Sequence, residues 1–469
     1  MTGNWWARCG RRRATGLLGS VIAVALTGIC TAEALGATAA SGPTDWPAYL
    51  NGPLHSSYIP AETAITPATA ARLVLTWHHA PGHIYLASPT VADGAIFIGS
   101  DGGWIYKLSP ATGKVLHKAY LGYQRHETCG AFGTVDTATV ATDPVDHEPT
   151  VYVAGADGYL YALSASTLRV KWKSVIAIPS ATVSNYFDWS SPTVANGKIY
   201  IGVASNCDDP LIRGELIGYD QASGKKFAQF YTVPKGSVGG SIWSSVAVAP
   251  DGDVFATTGN GPEGSATSQL LAYSESILKF SPTLKLLGQF QVPASQVTYD
   301  ADFGASPVLF GRYAGACDKN GIFYVVNQAT MKLAWEKTVS GPTGPITGCI
   351  AAAVYNGHDL YIGGLSVTID GVSYRGSIQE RNPADGALRW ETGLPNGVIG
   401  SPTMDGGGVI AVGTYDISAA PNATYLVDAS NGRILRTFVT GMDFAQSVFA
   451  YGRLYVATVD GVYAYGLSH

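Results

Sequence analysis

The sequence predicts an all-β chain closed into an eight-bladed β-propeller. Three observations carry this. A unit of four short alternating runs recurs eight times, the last unit stops one strand short, and a matching orphan strand precedes the first unit.

The unit is plainest near the start. Ser88-Pro-Thr-Val is followed by Gly94-Ala-Ile-Phe-Ile-Gly, Gly103-Trp-Ile-Tyr-Lys-Leu and Ala111-Thr-Gly-Lys-Val-Leu. The pattern returns with Pro149-Thr-Val-Tyr-Val-Ala, Gly158-Tyr-Leu-Tyr-Ala-Leu and Arg169-Val-Lys-Trp, and again with Ser191-Pro-Thr-Val, Gly197-Lys-Ile-Tyr-Ile-Gly and Gly214-Glu-Leu-Ile-Gly-Tyr. Four alternating runs separated by turn residues make one antiparallel sheet, strands A to D. The third run begins at Gly103, Gly158, Gly214, Glu275, Gly321, Gly376, Ala423 and Gly461, which gives eight sheets. A lone sheet cannot cover both its faces, and a radial ring of sheets can. The eighth unit ends at Gly466-Leu-Ser-His469, without a fourth run. Leu73 to Trp77 reads like the fourth runs ending in Trp172, Trp335 and Trp390, so it is expected to complete the last sheet and lock the ring.

Composition agrees. Charged residues make up 13%, against about 25% in a typical soluble domain. Gly (57) and Tyr (26) are abundant, which suits short strands and tight turns. With a net charge of −5 and no long basic run beyond the extreme N-terminus, nucleic acid is not an expected partner.

Residues 1–39 read as a secretion signal. Arg8, Arg11, Arg12 and Arg13 precede an apolar stretch from Leu17 to Ile29, and Ala37-Thr-Ala fits a cleavage site. The stretch falls short of the roughly 20 residues of a membrane span, and no later segment reads as one. The expected product is a single secreted or periplasmic propeller, residues 40–469, monomeric and without stable membrane insertion. Removing the signal leaves Cys129, Cys207, Cys317 and Cys349, an even number that suggests two disulfides. Four cysteines allow three pairings. Placement in the connecting loops favours Cys129 with Cys207 and Cys317 with Cys349, each joining neighbouring blades. No Cys-x-x-Cys is present, so haem attachment of that type is excluded.

The repeats resemble the propeller of pyrroloquinoline quinone (PQQ) dehydrogenases, nearest the polyvinyl alcohol dehydrogenase branch. The tails Ala111-Thr-Gly-Lys, Ala222-Ser-Gly-Lys and Ala329-Thr-Met-Lys-Leu-Ala-Trp335 are similar to that family's docking motif, and Trp46-Pro-Ala-Tyr and Ile65-Thr-Pro-Ala-Thr are similar to its N-terminal run. Three segments are more specific. Gly240-Ser-Ile-Trp243 resembles the stretch whose Trp stacks on the quinone. Thr257-Thr-Gly-Asn260 resembles the strand end whose Asn binds calcium. Tyr299-Asp300-Ala-Asp302-Phe-Gly-Ala-Ser-Pro resembles the segment that carries the catalytic Asp. Asp318-Lys319-Asn-Gly resembles the segment whose Lys contacts the quinone oxygens. The resemblance implies PQQ and calcium as cofactors, Asp300 as general base, Trp243 and Lys319 on the quinone, and Asn260 and Asp300 on calcium. The family's calcium-binding Glu and its adjacent cysteines have no match, and Asp208 or Asp209, in Asn206-Cys207-Asp-Asp-Pro, is the stand-in for that Glu. Asp302 is not expected to be the base. Propeller topology independently puts Asp300, Asn260, Lys319 and Trp243 on one face, in blades four and five.

Two functions follow from these residues. One is an exported PQQ-dependent dehydrogenase that oxidises an alcohol or sugar and passes electrons to an external acceptor. The other is a non-catalytic propeller that binds a protein, peptide or glycan on its rim.

Overall fold

A computed structural model describes residues 44–80, 86–126, 130–262, 269–341, 348–416 and 421–468. The sequence-predicted signal lies outside these ranges. Eight antiparallel four-stranded sheets are present. In blade 1 the strands are A Thr90–Ala92, B Ala95–Gly99, C Trp104–Leu108 and D Val115–Tyr120. Blade 4 runs A Ala247–Val248, B Val254–Thr257, C Ser276–Phe280 and D Leu286–Gln291, and blade 5 runs A Val308–Phe310, B Tyr313–Cys317, C Ile322–Asn327 and D Leu333–Thr338.

The eight C strands start within one residue of their sequence marks, except in blade 6. There B (Leu360–Ile369) and C (Val372–Arg381) extend the hairpin, and C begins four residues before Gly376. Apolar alternation marks the buried part of a strand and cannot mark the polar half of a hairpin that continues into solvent.

Ring closure is as expected. Leu73–His79 pairs antiparallel with the last strand, Gly461–Leu467, with Leu73 opposite Leu467 and His79 opposite Val462. Its Trp77 explains the Thr-Gly-Lys tails. The Trp77 ring covers Gly113 in the C–D turn of blade 1, where a Cβ would lie 2.5 Å from Cε3, and its Nε1 donates to the Pro110 carbonyl at 2.9 Å. Trp172 over Gly224 and Trp390 over Gly432 repeat this packing at other seams. Each of these glycines has φ near +70°, so the turn needs glycine for its backbone as well as for the space. Apolar side chains fill the seams. Ile378 and Tyr361 of blade 6, for example, join Ile410, Val412 and Tyr425 of blade 7 in one buried cluster.

Two features of the inner strands shape the site. The Ser of each Ser-Pro-Thr is a tie between blades. Ser88 N–H donates to Thr137 Oγ1 (3.0 Å), Thr137 N–H to Ser191 Oγ (2.9 Å), Ser191 N–H to Ser245 Oγ (2.9 Å) and Ser245 N–H to Ser306 Oγ (2.9 Å). Ala352 N–H to Ser401 Oγ and Gln446 N–H to Ser88 Oγ extend the belt, closing it from blade 8 to blade 1. Beyond the belt, the segment from Trp46 to Ile59 plugs the centre of the ring. Its carbonyls accept N–H groups from the A strands of six blades, from Val91, Val140, Val248, Leu309, Tyr355 and Met404, and Tyr58–Ile59 adds a parallel pairing to blade 7. Those N–H groups face the ring axis, where no further strand could satisfy them.

Candidate active site

The D–A and B–C connections open on one face, and a cavity of about 330 Å3 sits at its centre. Counting two residues back from the belt position in each blade gives one lining residue per blade. Blades 3 to 5 contribute Trp189, Trp243 and Gly304. Blades 6, 7, 8, 1 and 2 contribute Ile350, Ile399, Phe444, Leu86 and Val135. Below this ring lie the belt hydroxyls, and Tyr49 of the plug reaches the floor, its hydroxyl 3.1 Å from Ser401 Oγ. The cavity therefore has an apolar collar and a polar floor closed by the plug.

Gly304 is the one gap in the collar. A Cβ there would meet Trp243 Cζ2 and Cη2 at 2.7 Å and Ile350 Cγ2 at 2.8 Å. The missing side chain lets the Trp243 ring extend across the position. Trp243 itself lies four residues ahead of strand A, in the D–A connection, because the strand ladder forms only over Ala247–Val248.

Charge is confined to one side. Asp208, from the B–C connection of blade 3, and Asp300 and Asp302, from the connection between blades 4 and 5, bring carboxylate oxygens within 4.8 Å of one another. Lys319, from the B–C connection of blade 5, lies among them. Its Nζ donates to Asp302 Oδ2 at 2.7 Å and to both Asp300 oxygens at 3.2 Å, and sits 5.4 Å from the Trp243 ring centre. Burial works against the Lys319 charge, but Asp302 and Asp300 outweigh it and raise its pKa. Burial pushes the Asp300 carboxyl up to about 7, a rise that Lys319 opposes and Asp302 reinforces. Asp208 is also raised, by the surrounding protein and the Asp302 charge, though it is solvent-exposed at the cavity mouth and water screens that rise. Asp300 has φ +54°, a left-handed conformation that Asp tolerates better than most residues.

Three residues make contacts that the sequence does not show. Asn260 reaches the cluster through its backbone, whose N–H donates to Asp302 Oδ1 at 2.7 Å, while its side chain bonds Asp208. Asp302, not expected to be the base, is the buried hub that holds both Lys319 and the Asn260 backbone. No periodicity signals that; a hub is defined by what folds onto it. Asp209, the other candidate for the missing Glu, is not among the three carboxylates that meet, and its backbone carbonyl pairs with His126 Nε2 at 2.6 Å. Asn206 and Trp189 line the cavity and were not singled out in the sequence. Aligning the repeats on their Ser-Pro-Thr would have found Trp189, since it stands two residues before Ser191 just as Trp243 stands before Ser245.

Cys317 and Cys349 are joined, linking blade 5 to the start of blade 6. Cys207 is disulfide-bonded and lines the cavity. Cys129, the partner expected for it, lies outside the described residues. Asn422-Ala-Thr424 has the form of a glycosylation sequon, and Asn422 is buried, with Nδ2 donating to the Asp416 carbonyl at 2.9 Å.

The donor set fits a hard cation. Three carboxylates and an Asn side chain offer oxygen ligands of the kind calcium takes. The Trp243 face, with the gap at Gly304 beside it, offers a platform for a flat molecule.

Comparisons with known proteins agree with this fold. The PQQ_2 family profile, described as outer membrane protein assembly factor BamB, matches residues 39–275 and 319–440. Lupanine 17-hydroxylase [cytochrome c] of Pseudomonas sp is 30% identical over 190 residues, 39% of this chain and 26% of that protein. Quinohemoprotein alcohol dehydrogenase ADH IIB of Pseudomonas putida is 27% identical over 296 residues, 53% of this chain and 40% of that protein. The matches thus span between a quarter and two-fifths of these relatives' length. Among solved structures, quinohemoprotein alcohol dehydrogenase from Comamonas testosteroni superposes with a TM-score of 0.73 at 17% identity, over 91% of this chain and 81% of that one.

Proposed function

The chain belongs to the PQQ dehydrogenase-like family of β-propellers, and from that premise we propose that it is an exported dehydrogenase that oxidises the hydroxyl of an alcohol or sugar, using PQQ and calcium and an external electron acceptor. The observation that carries the proposal is the meeting of Asp208, Asp300, Asp302 and Lys319 beside Trp243 in one cavity.

Bound PQQ would supply the two-electron acceptor that side chains lack. Everything else falls to the chain. Asp300 takes the proton of the substrate hydroxyl, and its raised pKa places it near neutral pH, where a general base works best. Lys319, held by Asp302, fixes a positive charge where negative charge develops during oxidation. Asp208, Asp300 and the Asn260 side chain would hold calcium, and Trp243 supports the flat cofactor. The apolar collar from Leu86 to Phe444 keeps the opposite side of the cavity free of competing charge.

Reconstitution tests this. The purified protein mixed with PQQ and calcium should show quinone absorbance and reduce an artificial dye when simple alcohols are added. Stoichiometric binding without turnover would leave a cofactor-binding protein; no binding at all would favour a second reading. That reading, a non-catalytic propeller that binds a protein, peptide or glycan on its rim, draws on the exposed apolar side chains Tyr123, Ile178, Val183, Val238 and Tyr299 in the connections of the same face.

A further inference from the structure

Asn206 stands out on the cavity wall. It sits between Ser205 and the disulfide-bonded Cys207, in the B–C connection of blade 3, and is 4% exposed. Both polar atoms of its side chain, Oδ1 and Nδ2, are buried without a protein partner. A buried amide with neither atom bonded is costly to leave so. The backbone around it is pinned. Ser205 N–H donates to Ser241 Oγ at 3.2 Å, Ser205 Oγ accepts from Ile212 N–H at 3.0 Å, and Asn206 N–H donates to the Asn185 carbonyl at 3.2 Å. The amide is therefore held in place by main-chain anchors and does no capping of its own. It lines the same cavity as Trp243, Asp208 and Asp300.

A metal ion would satisfy Oδ1 and leave Nδ2 bare. A carboxylate alone would satisfy Nδ2 and leave Oδ1 bare. Both are satisfied together by a ligand edge that carries a donor beside an acceptor. PQQ has such an edge, a pyrrole N–H next to a carboxylate. We propose that Asn206 is a cofactor-positioning residue that makes a two-point contact with this edge and so fixes how the flat ring lies on Trp243. The inference rests on the PQQ reading of the site.

The test uses the full-length protein with calcium, and compares the natural chain with Asn206→Ala and Asn206→Leu. Two readouts are taken: melting temperature without cofactor, and PQQ affinity by absorbance or fluorescence titration. Two lost hydrogen bonds should weaken PQQ binding by about 10-fold or more, while Asn206→Leu melts at the same temperature or higher, because it removes an unbonded amide. A lower melting temperature for both variants would show that the amide has a structural role and overturn the inference. Equal PQQ affinity in all three proteins would also overturn it and leave the PQQ reading standing. Failure of the natural chain to bind PQQ would sink both.

Discussion

The two sides of one cavity are built from the same repeat and differ in almost everything chemical. On the side of blades 3 to 5 stand Asp208, Asp300, Asp302 and Lys319, with Trp189 and Trp243. On the other side the equivalent positions carry Ile350, Ile399, Phe444, Leu86 and Val135. Beneath both runs a belt of blade-to-blade ties, with Ser or Thr at six positions and Ala352 and Gln446 at those of blades 6 and 8. The repeat thus provides scaffold all round the ring, and chemistry appears where the connections of three adjacent blades depart from it. Function sits on a site grafted to the fold, as is general for superfolds.

The contrast is sharpest in turnover. Asp300→Asn keeps size and most hydrogen bonding but removes the base, so dye-linked alcohol oxidation should fall by about 10²–10⁴-fold. Ile399→Ala, across the cavity, should keep turnover per folded molecule within about 10-fold. Comparable losses in the two variants would erase the distinction between the sides.

The next effect concerns the gap in the collar. Gly304→Ala places a methyl 2.7 Å from the edge of Trp243. Overpacking of this kind costs about 1–3 kcal/mol, and here it should appear as weaker PQQ binding through a displaced Trp243, with a smaller drop in melting temperature. A titration showing unchanged affinity would remove Trp243 from the cofactor platform.

The belt should not distinguish the sides. Ser245→Ala strands the Ser191 N–H, and Ser401→Ala strands the Ala352 N–H. Each should cost about 1–3 kcal/mol in denaturant unfolding. A loss confined to one side would mean that the scaffold, too, is asymmetric.

The smallest effect is a pH slope. Burial pushes Asp405, at the end of strand A in blade 7, up to about 8, against an ordinary value of 3.8, and Asp101 in blade 1 up to about 7. Between about pH 4 and 8 the folded protein holds protons that the unfolded chain has released, so stability falls as pH rises. Asp405→Asn should flatten that slope, with its melting temperature most improved near pH 8.5 and little changed at pH 5. A natural chain more stable at pH 8.5 than at pH 5 would contradict the sign.

The scaffold was legible because it repeats. Seven of the eight C-strand starts and the closing strand from Leu73 follow from spacing, and each copy corroborates the others. The site was legible only in part. Asp300, Lys319 and Trp243 share a face by topology and meet in the cavity. The hub at Asp302, the backbone role of Asn260 and the orphaned amide of Asn206 depend on where loops fold, and a loop occurs once. The plug from Trp46 to Ile59 was invisible for a related reason. It pairs by backbone groups with six strands far off in sequence, and its side chains show no alternation to announce it.

The central claim, that the carboxylates of blades 3 to 5 form a cation-assisted cofactor site, is tested most directly by calorimetric titration of calcium into the PQQ-mixed protein, natural chain against Asp300→Asn. The account predicts one saturable calcium site per chain, weakened at least about 10-fold by the substitution, given the charge-assisted contact it removes. Absence of saturable binding, or equal affinity in the two proteins, would contradict it.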